Sequence, residues 1–226
     1  MRKFYPYIVI LLIVSFLIIG CSNQPEKEEN LLGINFNIEN NESTIDKYET
    51  DNPVVAMYIE KYGAIVLELY PDKAPNTVNN FISLIKSGFY DNNTFHRLVP
   101  GFVLQGGDPT GTGTGGPGYT IKGEFNANNY NNPLKHKEWT LSMARSSSYD
   151  SAGSQFFIML GDASYLDGQY AAFGQLIDGK DTIKEIEKNE IVEDEQTGKL
   201  KNNLTIKKTI IDLKNKVYND VEKITS

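Results

Sequence analysis

The chain has 226 residues, 40% of them hydrophobic and 23% charged, with a net charge of −7 at pH 7. That size and composition suit one globular domain with extensions, and the acidic balance, with no Lys/Arg-rich block, excludes a nucleic-acid partner whose phosphates would need a basic face. A single cysteine and two histidines exclude an internal disulfide and a multi-cysteine metal site; no metal and no cofactor is expected.

At the N-terminus Arg2 and Lys3 precede an apolar run from Ile8 to Ile19, the order of a secretory signal. The run is shorter than the about 20 residues of a membrane-spanning helix. It ends Leu17-Ile18-Ile19-Gly20-Cys21, which resembles the bacterial lipobox. That resemblance implies cleavage after residue 20, a lipid on Cys21, and a membrane partner through that lipid at the extracytoplasmic face. Residues 21–51, rich in Asn, Glu and Ser, read as a flexible tether with a span of about 30 Å. Within it Leu31-Leu32-Gly33-Ile34-Asn35-Phe36 is too apolar for a linker and is expected to dock on the domain.

The domain is expected over residues 52–213. Val54–Glu60 and Ala64–Leu69 are β-rich runs split by Lys61-Tyr62-Gly63, a hairpin pattern. Pro75 opens a helix to Ser87, with Val78, Phe81, Ile82 and Ile85 on one face and Gly88 as the stop. Short strands are expected at 94–98, 102–105, 139–143, 155–160 and 171–173. Thr182 and Glu185 have capping-box spacing and suggest a second helix starting there. Residues 204–213 read as a last strand, and the charged tail 214–226 as solvated. Many short strands with two helices suggest a closed, capped β-barrel.

Phe95-His96-Arg97-Leu98-Val99-Pro100-Gly101-Phe102-Val103-Leu104-Gln105-Gly106-Gly107-Asp108, then Leu141-Ser142-Met143-Ala144, Gly153-Ser154-Gln155-Phe156-Phe157-Ile158, Tyr165-Leu166-Asp167-Gly168 and Phe173-Gly174 resemble, in order, the blocks of the cyclophilin-type peptidyl-prolyl cis-trans isomerases. The resemblance runs over about residues 53–213. It implies an eight-stranded antiparallel barrel with a helix at each end, and an enzyme acting on proline-containing polypeptides. By position, Arg97 matches the catalytic arginine and Gln105 its polar partner. Phe102, Val103, Phe157 and Leu166 match the proline pocket, Ala144 and Arg145 the segment that holds the substrate backbone, and Tyr165 and Tyr170 the rim, with His96 and Gln155 flanking.

Such chemistry needs no nucleophile. The Xaa-Pro bond rotates over a barrier of about 18–20 kcal/mol set by amide resonance, and a donor placed at the proline nitrogen helps most when that nitrogen is twisted out of conjugation. Arginine stays charged at any working pH. No proton has to move, so His96 is given a structural role, and His136, without a partner in sequence, is expected at the surface. In a regular strand Phe102 would point away from Val103 and Gln105; a bend is required to bring it into the pocket. Gly111-Thr112-Gly113-Thr114-Gly115-Gly116 lacks the Gly-Lys-Ser/Thr ending of a phosphate loop and reads as a turn beside the peptide groove.

Many family members carry tryptophan where this chain has Tyr165, so weak cyclosporin binding is expected. Val103 stands for a longer methionine, and Arg145 for a common asparagine, which would bias the groove towards acidic peptides. A monomer is the default. The competing reading is a proline-peptide-binding chaperone or scaffold that uses the same groove without essential turnover.

Overall fold

The structure, a computed structural model, describes residues 29–31, 34–36, 45 and 47–225. The signal segment and Cys21 lie outside the described residues. A small hairpin, β1 (Glu29–Leu31) and β2 (Ile34–Phe36), comes first. Then follow β3 (Val54–Ile59), β4 (Gly63–Leu69), α1 (Pro75–Lys86), β5 (Asn93–Val99), β6 (Val103–Asp108), β7 (Thr140–Met143), β8 (Phe156–Met159), β9 (Ala172–Asp178), α2 (Lys180–Asn189), β10 (Val192–Asp194) and β11 (Lys199–Asp212).

Eight strands form a closed antiparallel barrel in the order β11-β3-β4-β9-β7-β8-β6-β5, and β11 pairs with β5 to complete the ring. The 14-residue β11 achieves this by pairing with β5 through Leu204–Ile206 and with β3 through Ile206–Asp212. β10 lies outside the ring, against the start of β11.

Alternation along the strands explains the core. Val55, Met57 and Ile59 of β3, Ile65, Leu67 and Leu69 of β4, Leu104 of β6, and Phe156 and Ile158 of β8 point inward and pack together. Their neighbours point out. Val54, Ala56, Ala64 and Val66 form one apolar cluster on the outer surface, covered by Ile34 and Ile45 of the N-terminal segment. Val103, Phe157 and Met159 form another with Ala163 and Leu166. In the eight-strand ring, β3 and β4 stand four places from β8 and β6, so the two outer clusters lie on opposite sides.

Helix α1 buries Val78, Phe81, Ile82 and Ile85 over one end of the barrel. Phe81 packs within 5.3 Å, centroid to centroid, of Tyr90, Phe156 and Phe173. Pro75 occupies the first turn as expected. The free amides there are capped from a distance, since Glu124 accepts the N–H of Asn76 at 3.0 Å and of Thr77 at 2.7 Å, a carboxylate placed at the positive end of the helix.

The capping-box expectation for the second helix is corrected. Helix α2 begins at Lys180 after Gly179, whose φ is +83°. A side chain at Gly179 would lie 2.5 Å from the Ala64 carbonyl oxygen, so the close approach to β4 requires glycine. Thr182 already lies inside the helix and donates to the Ala64 carbonyl instead.

The C-terminal segment departs from its solvated reading. Tyr218 and Val221 pack against the core, and Ile224 pairs with Thr120 in an isolated bridge. Lys214 and Lys216 donate to the carbonyls of Tyr48 and Asp51, tying this segment to the chain's entry into the barrel.

Candidate active site

The site is built on the outer face of β5, β6 and β8. Between the Phe95↔Gly106 and Arg97↔Gln105 pairs, β5 carries one extra residue, His96. This bulge lets Phe95 and Leu98 both enter the core while Arg97 emerges beside Gln105. Phe102 escapes strand alternation because β6 starts only at Val103. It lies in the turn after Val99, its N–H bonded to the Val99 carbonyl at 2.9 Å.

A pocket of about 180 Å³ is lined by Arg97, Phe102, Val103, Gln105, Ala144, Arg145, Phe157, Leu166 and Tyr170. Every one of these residues is a site residue expected from the sequence. Arg97 donates from Nη1 to Gln105 Oε1 at 3.1 Å and from Nε to the Thr197 carbonyl at 2.7 Å. Its guanidinium carbon stands 6.0 Å from the Phe102 ring centroid. Partial burial lowers its pKa, but an arginine remains charged at neutral pH. Gln105 donates in turn to Gln155, which donates to the carbonyls of Gly113 and Gly115. This chain of amides links the arginine to the glycine-rich turn.

That turn is held by Asp108, which accepts from the backbone N–H groups of Thr110, Thr112 and Gly113. Burial alone would raise the Asp108 pKa, but hydrogen bonds from Gly115, Thr110 and Gly113 bring it down to about 2. A second concavity of about 450 Å³ opens beneath the turn, lined by Gly113–Pro117, Tyr119, Gly153 and Gln155, and it shares Gln105, Ala144 and Arg145 with the first. Neither lining contains a carboxylate.

Three expected residues take other places. Gln155 lines the second concavity. Tyr165 is 70% exposed and stacks over Phe102 at 6.1 Å, outside both linings. His96 is buried, with both ring nitrogens lacking a hydrogen-bond partner, and lines neither concavity. Burial lowers its pKa, with Asp108 opposing and Arg97 reinforcing the shift.

Arg145 is braced. Nε and Nη2 donate to the Gln169 carbonyl at 3.0 Å and Nη1 to that of Ser146 at 2.8 Å. The guanidinium lies 4.6 to 5.3 Å from the ring centroids of Tyr170, Tyr149 and Phe125. Attraction of acidic peptides would therefore act mainly through its charge, because most of its hydrogens already serve backbone carbonyls.

The surface expectation for His136 is corrected: it is buried behind the pocket. Its ring stacks on Phe157 at 6.1 Å. Nε2 shares a hydrogen bond with Ser142 at 3.0 Å, and Asp167 Oδ1 accepts its backbone N–H at 2.7 Å. Burial lowers its pKa, partly offset by Asp167, so at neutral pH it is an uncharged support for the pocket floor. Thr197 also went unforeseen. It lies in the β10–β11 turn, where Asp194 accepts from the Gln196 N–H and the Thr197 hydroxyl, and its carbonyl fixes Arg97.

The family model described as "Cyclophilin type peptidyl-prolyl cis-trans isomerase/CLD" matches residues 54–211. The chain belongs to the cyclophilin-type peptidyl-prolyl cis-trans isomerases. Among curated relatives, peptidyl-prolyl cis-trans isomerase B of Bacillus subtilis is 46% identical over 136 residues, 60% of this chain and 92% of that protein. A peptidyl-prolyl cis-trans isomerase of Helicobacter pylori is 45% identical over 133 residues, 58% of this chain and 78% of that one. A cyclophilin-type isomerase from Cryptosporidium parvum, solved in the presence of the dipeptide Ala-Pro, superposes with a TM-score of 0.61 at 36% identity, covering 70% of this chain and 98% of that one. The cyclophilin barrel expected from the sequence motifs is therefore the fold this chain adopts.

Proposed function

We propose that this cyclophilin accelerates Xaa-Pro rotation in exported polypeptides at the outer face of a bacterial membrane, with Arg97 as the catalytic residue and a lipid on Cys21 as the anchor. The observation that carries the catalytic reading is the fixed guanidinium at the lip of an apolar pocket. Nε and Nη1 of Arg97 are held by Thr197 and Gln105, leaving Nη2 to reach the substrate. The proline ring enters among Phe102, Val103, Phe157 and Leu166.

As the amide twists, its nitrogen regains a lone pair. A donor already aimed there stabilises the twisted state more than the planar one. Apolar walls exclude water and strengthen that interaction. No covalent bond changes, and no group in the pocket has to exchange a proton.

The lipid reading rests on the lipobox pattern and on the basic-then-apolar order before it. Ile34 and Ile45 dock on the barrel side opposite the pocket, so the docked part of the N-terminal segment leaves the groove open. A Cys21→Ser variant is expected to leave the membrane fraction and to lack the lipid mass increment; unchanged membrane partition with unchanged mature mass would sink the lipid reading.

The catalytic reading is tested on the full chain in mild detergent by cis–trans exchange of a short Xaa-Pro peptide, beside Arg97→Ala. The parent is expected to accelerate exchange and the variant largely to lose this while still binding peptide. Binding without acceleration by the parent would instead establish the chaperone reading.

A further inference from the structure

The groove does not end beneath the glycine-rich turn. A third concavity of about 480 Å³ is lined by Gly116, Gly118, Tyr119, Thr120 and Ile224. It shares Gly116, Tyr119 and Thr120 with the second, as the second shares three residues with the proline pocket. The three therefore adjoin in series, and the last is walled by Ile224 of the C-terminal segment, beyond the family match at residues 54–211.

The wall is held firmly. Ile224 exchanges two backbone hydrogen bonds with Thr120, at 2.7 and 3.0 Å. Glu222 does the same with the side chain of Asn76, at 2.8 and 3.0 Å. Lys223 Nζ lies 4.3 Å from the Tyr119 ring centroid, and Tyr218 and Val221 anchor the segment to the core. Yet the Ile224 side chain stays 43% exposed. A segment ordered by four hydrogen bonds, one cation–ring contact and two core side chains presents an apolar side chain to solvent at the end of the groove.

We propose that Ile224, on a segment beyond the family match, completes a substrate subsite with Tyr119, which takes an apolar side chain of an extended polypeptide several residues from the proline. The proposal rests on the groove being the substrate site. The lining has no carboxylate, and the apolar faces of Tyr119 and Ile224 offer contact area that a hydrocarbon side chain would remove from water. A peptide spanning only the proline pocket and its neighbour would not reach it. A chain long enough to span all three would bind more tightly and in one register.

The test uses the full chain in detergent and two sets of Xaa-Pro peptides. One is a tetrapeptide. The other is an extended series in which a single leucine is walked outward from the proline in an otherwise alanine- and serine-based peptide. Exchange is read by NMR. The parent is expected to favour one leucine position over its alanine control by about ten-fold in KM, the worth of roughly one buried apolar side chain, and Ile224→Ser to lose this preference. A parent that treats all leucine positions alike would overturn the proposal. So would an Ile224→Ser variant that keeps the preference, or one that slows tetrapeptide and extended peptides in parallel, which would mark the segment as a brace only. Should the parent accelerate neither set, the catalytic reading falls, and titration of the leucine series onto parent and Ile224→Ser still decides the subsite by the same ten-fold criterion.

Discussion

The barrel carries two apolar patches on its outer surface, and their treatment differs. Over β3 and β4, Val54, Ala56, Ala64 and Val66 are sealed by Ile34 and Ile45, with Tyr48 hydrogen-bonded to Asp178 at 2.7 Å beside them. On the opposite side, Val103, Phe157 and Leu166 face a pocket with Arg97 and Gln105 at its lip. Strand alternation produces both patches, because a short strand with apolar residues at successive positions must be buried on two faces. The chain closes one with Ile34 and Ile45 of its own N-terminal segment and leaves the other open, where the proposed function places a substrate. Chemistry distinguishes the two: the cations beside the sealed patch are ion-paired, Lys214 with Asp212 and Lys47 with Asp178, whereas Arg97 at the open patch is held by an amide and a carbonyl.

The contrast predicts opposite responses to mutation. Arg97→Ala should lower kcat/KM by about a hundred- to a thousand-fold, the usual cost of one donor that acts mainly in the transition state, with unfolding free energy lowered by only about 1–2 kcal/mol for its bonds to Thr197 and Gln105. Peptide exchange and urea titration measure the two, and a large loss of stability would place Arg97 in the scaffold instead. On the sealed side, Ile45→Ala should destabilise the fold by about 2–4 kcal/mol, as for a buried isoleucine, with exchange activity preserved in the protein that remains folded.

Gly198→Ala tests the link between the open patch and β10. A side chain at Gly198, whose φ is +75°, would lie 2.5 Å from Val99 Cγ2, displacing the turn whose Thr197 carbonyl holds Arg97. Exchange should slow by about ten-fold through kcat, since a misaimed donor weakens transition-state contact more than peptide binding. An unchanged kcat would show that Gln105 alone orients the arginine.

The smallest effect concerns pH. His96 and His136 both have folded pKa values below the ordinary imidazole value, so the unfolded chain binds protons more readily. Stability is then fully present above about pH 6.5 and declines as pH falls below it. Melting temperature should drop between about pH 7.5 and 5.5, and less so in His136→Asn. A melting temperature constant over that range would mean that neither imidazole changes affinity for protons on folding.

The same outer surfaces show what the sequence makes legible. The β3–β4 hairpin and α1 follow from local signals, a turn between β-rich runs and a one-face apolar stripe opened by Pro75. The pocket residues were found through motif resemblance, and all nine that line it were among those expected. What escaped depends on partners distant in sequence. Nothing near His136 announces Asp167, 31 residues away. The β10–β11 turn is short and polar, with no apolar pattern to mark it, and its contact with Arg97 spans 100 residues. The capping box at Thr182 failed because the approach of α2 to β4 had already fixed the helix start at Gly179. The path of Phe102 into the pocket required the start of β6, which alternation alone does not supply.

The pairing of β11 with β5 has a consequence should this isomerase meet unfolded chains, as proposed above. An unfolded client carries runs of unpaired N–H and C=O groups, and an open sheet edge would template their addition as a further strand. In the closed ring each of the eight strands has a neighbour on both sides. Outside it, the three-residue β10 presents Glu193 and Asp194, a short and charged margin of the kind that discourages pairing. On the proposed reading, a client would be engaged through side chains in the groove, and the barrel itself would offer it few open strand edges on which to nucleate a co-aggregate.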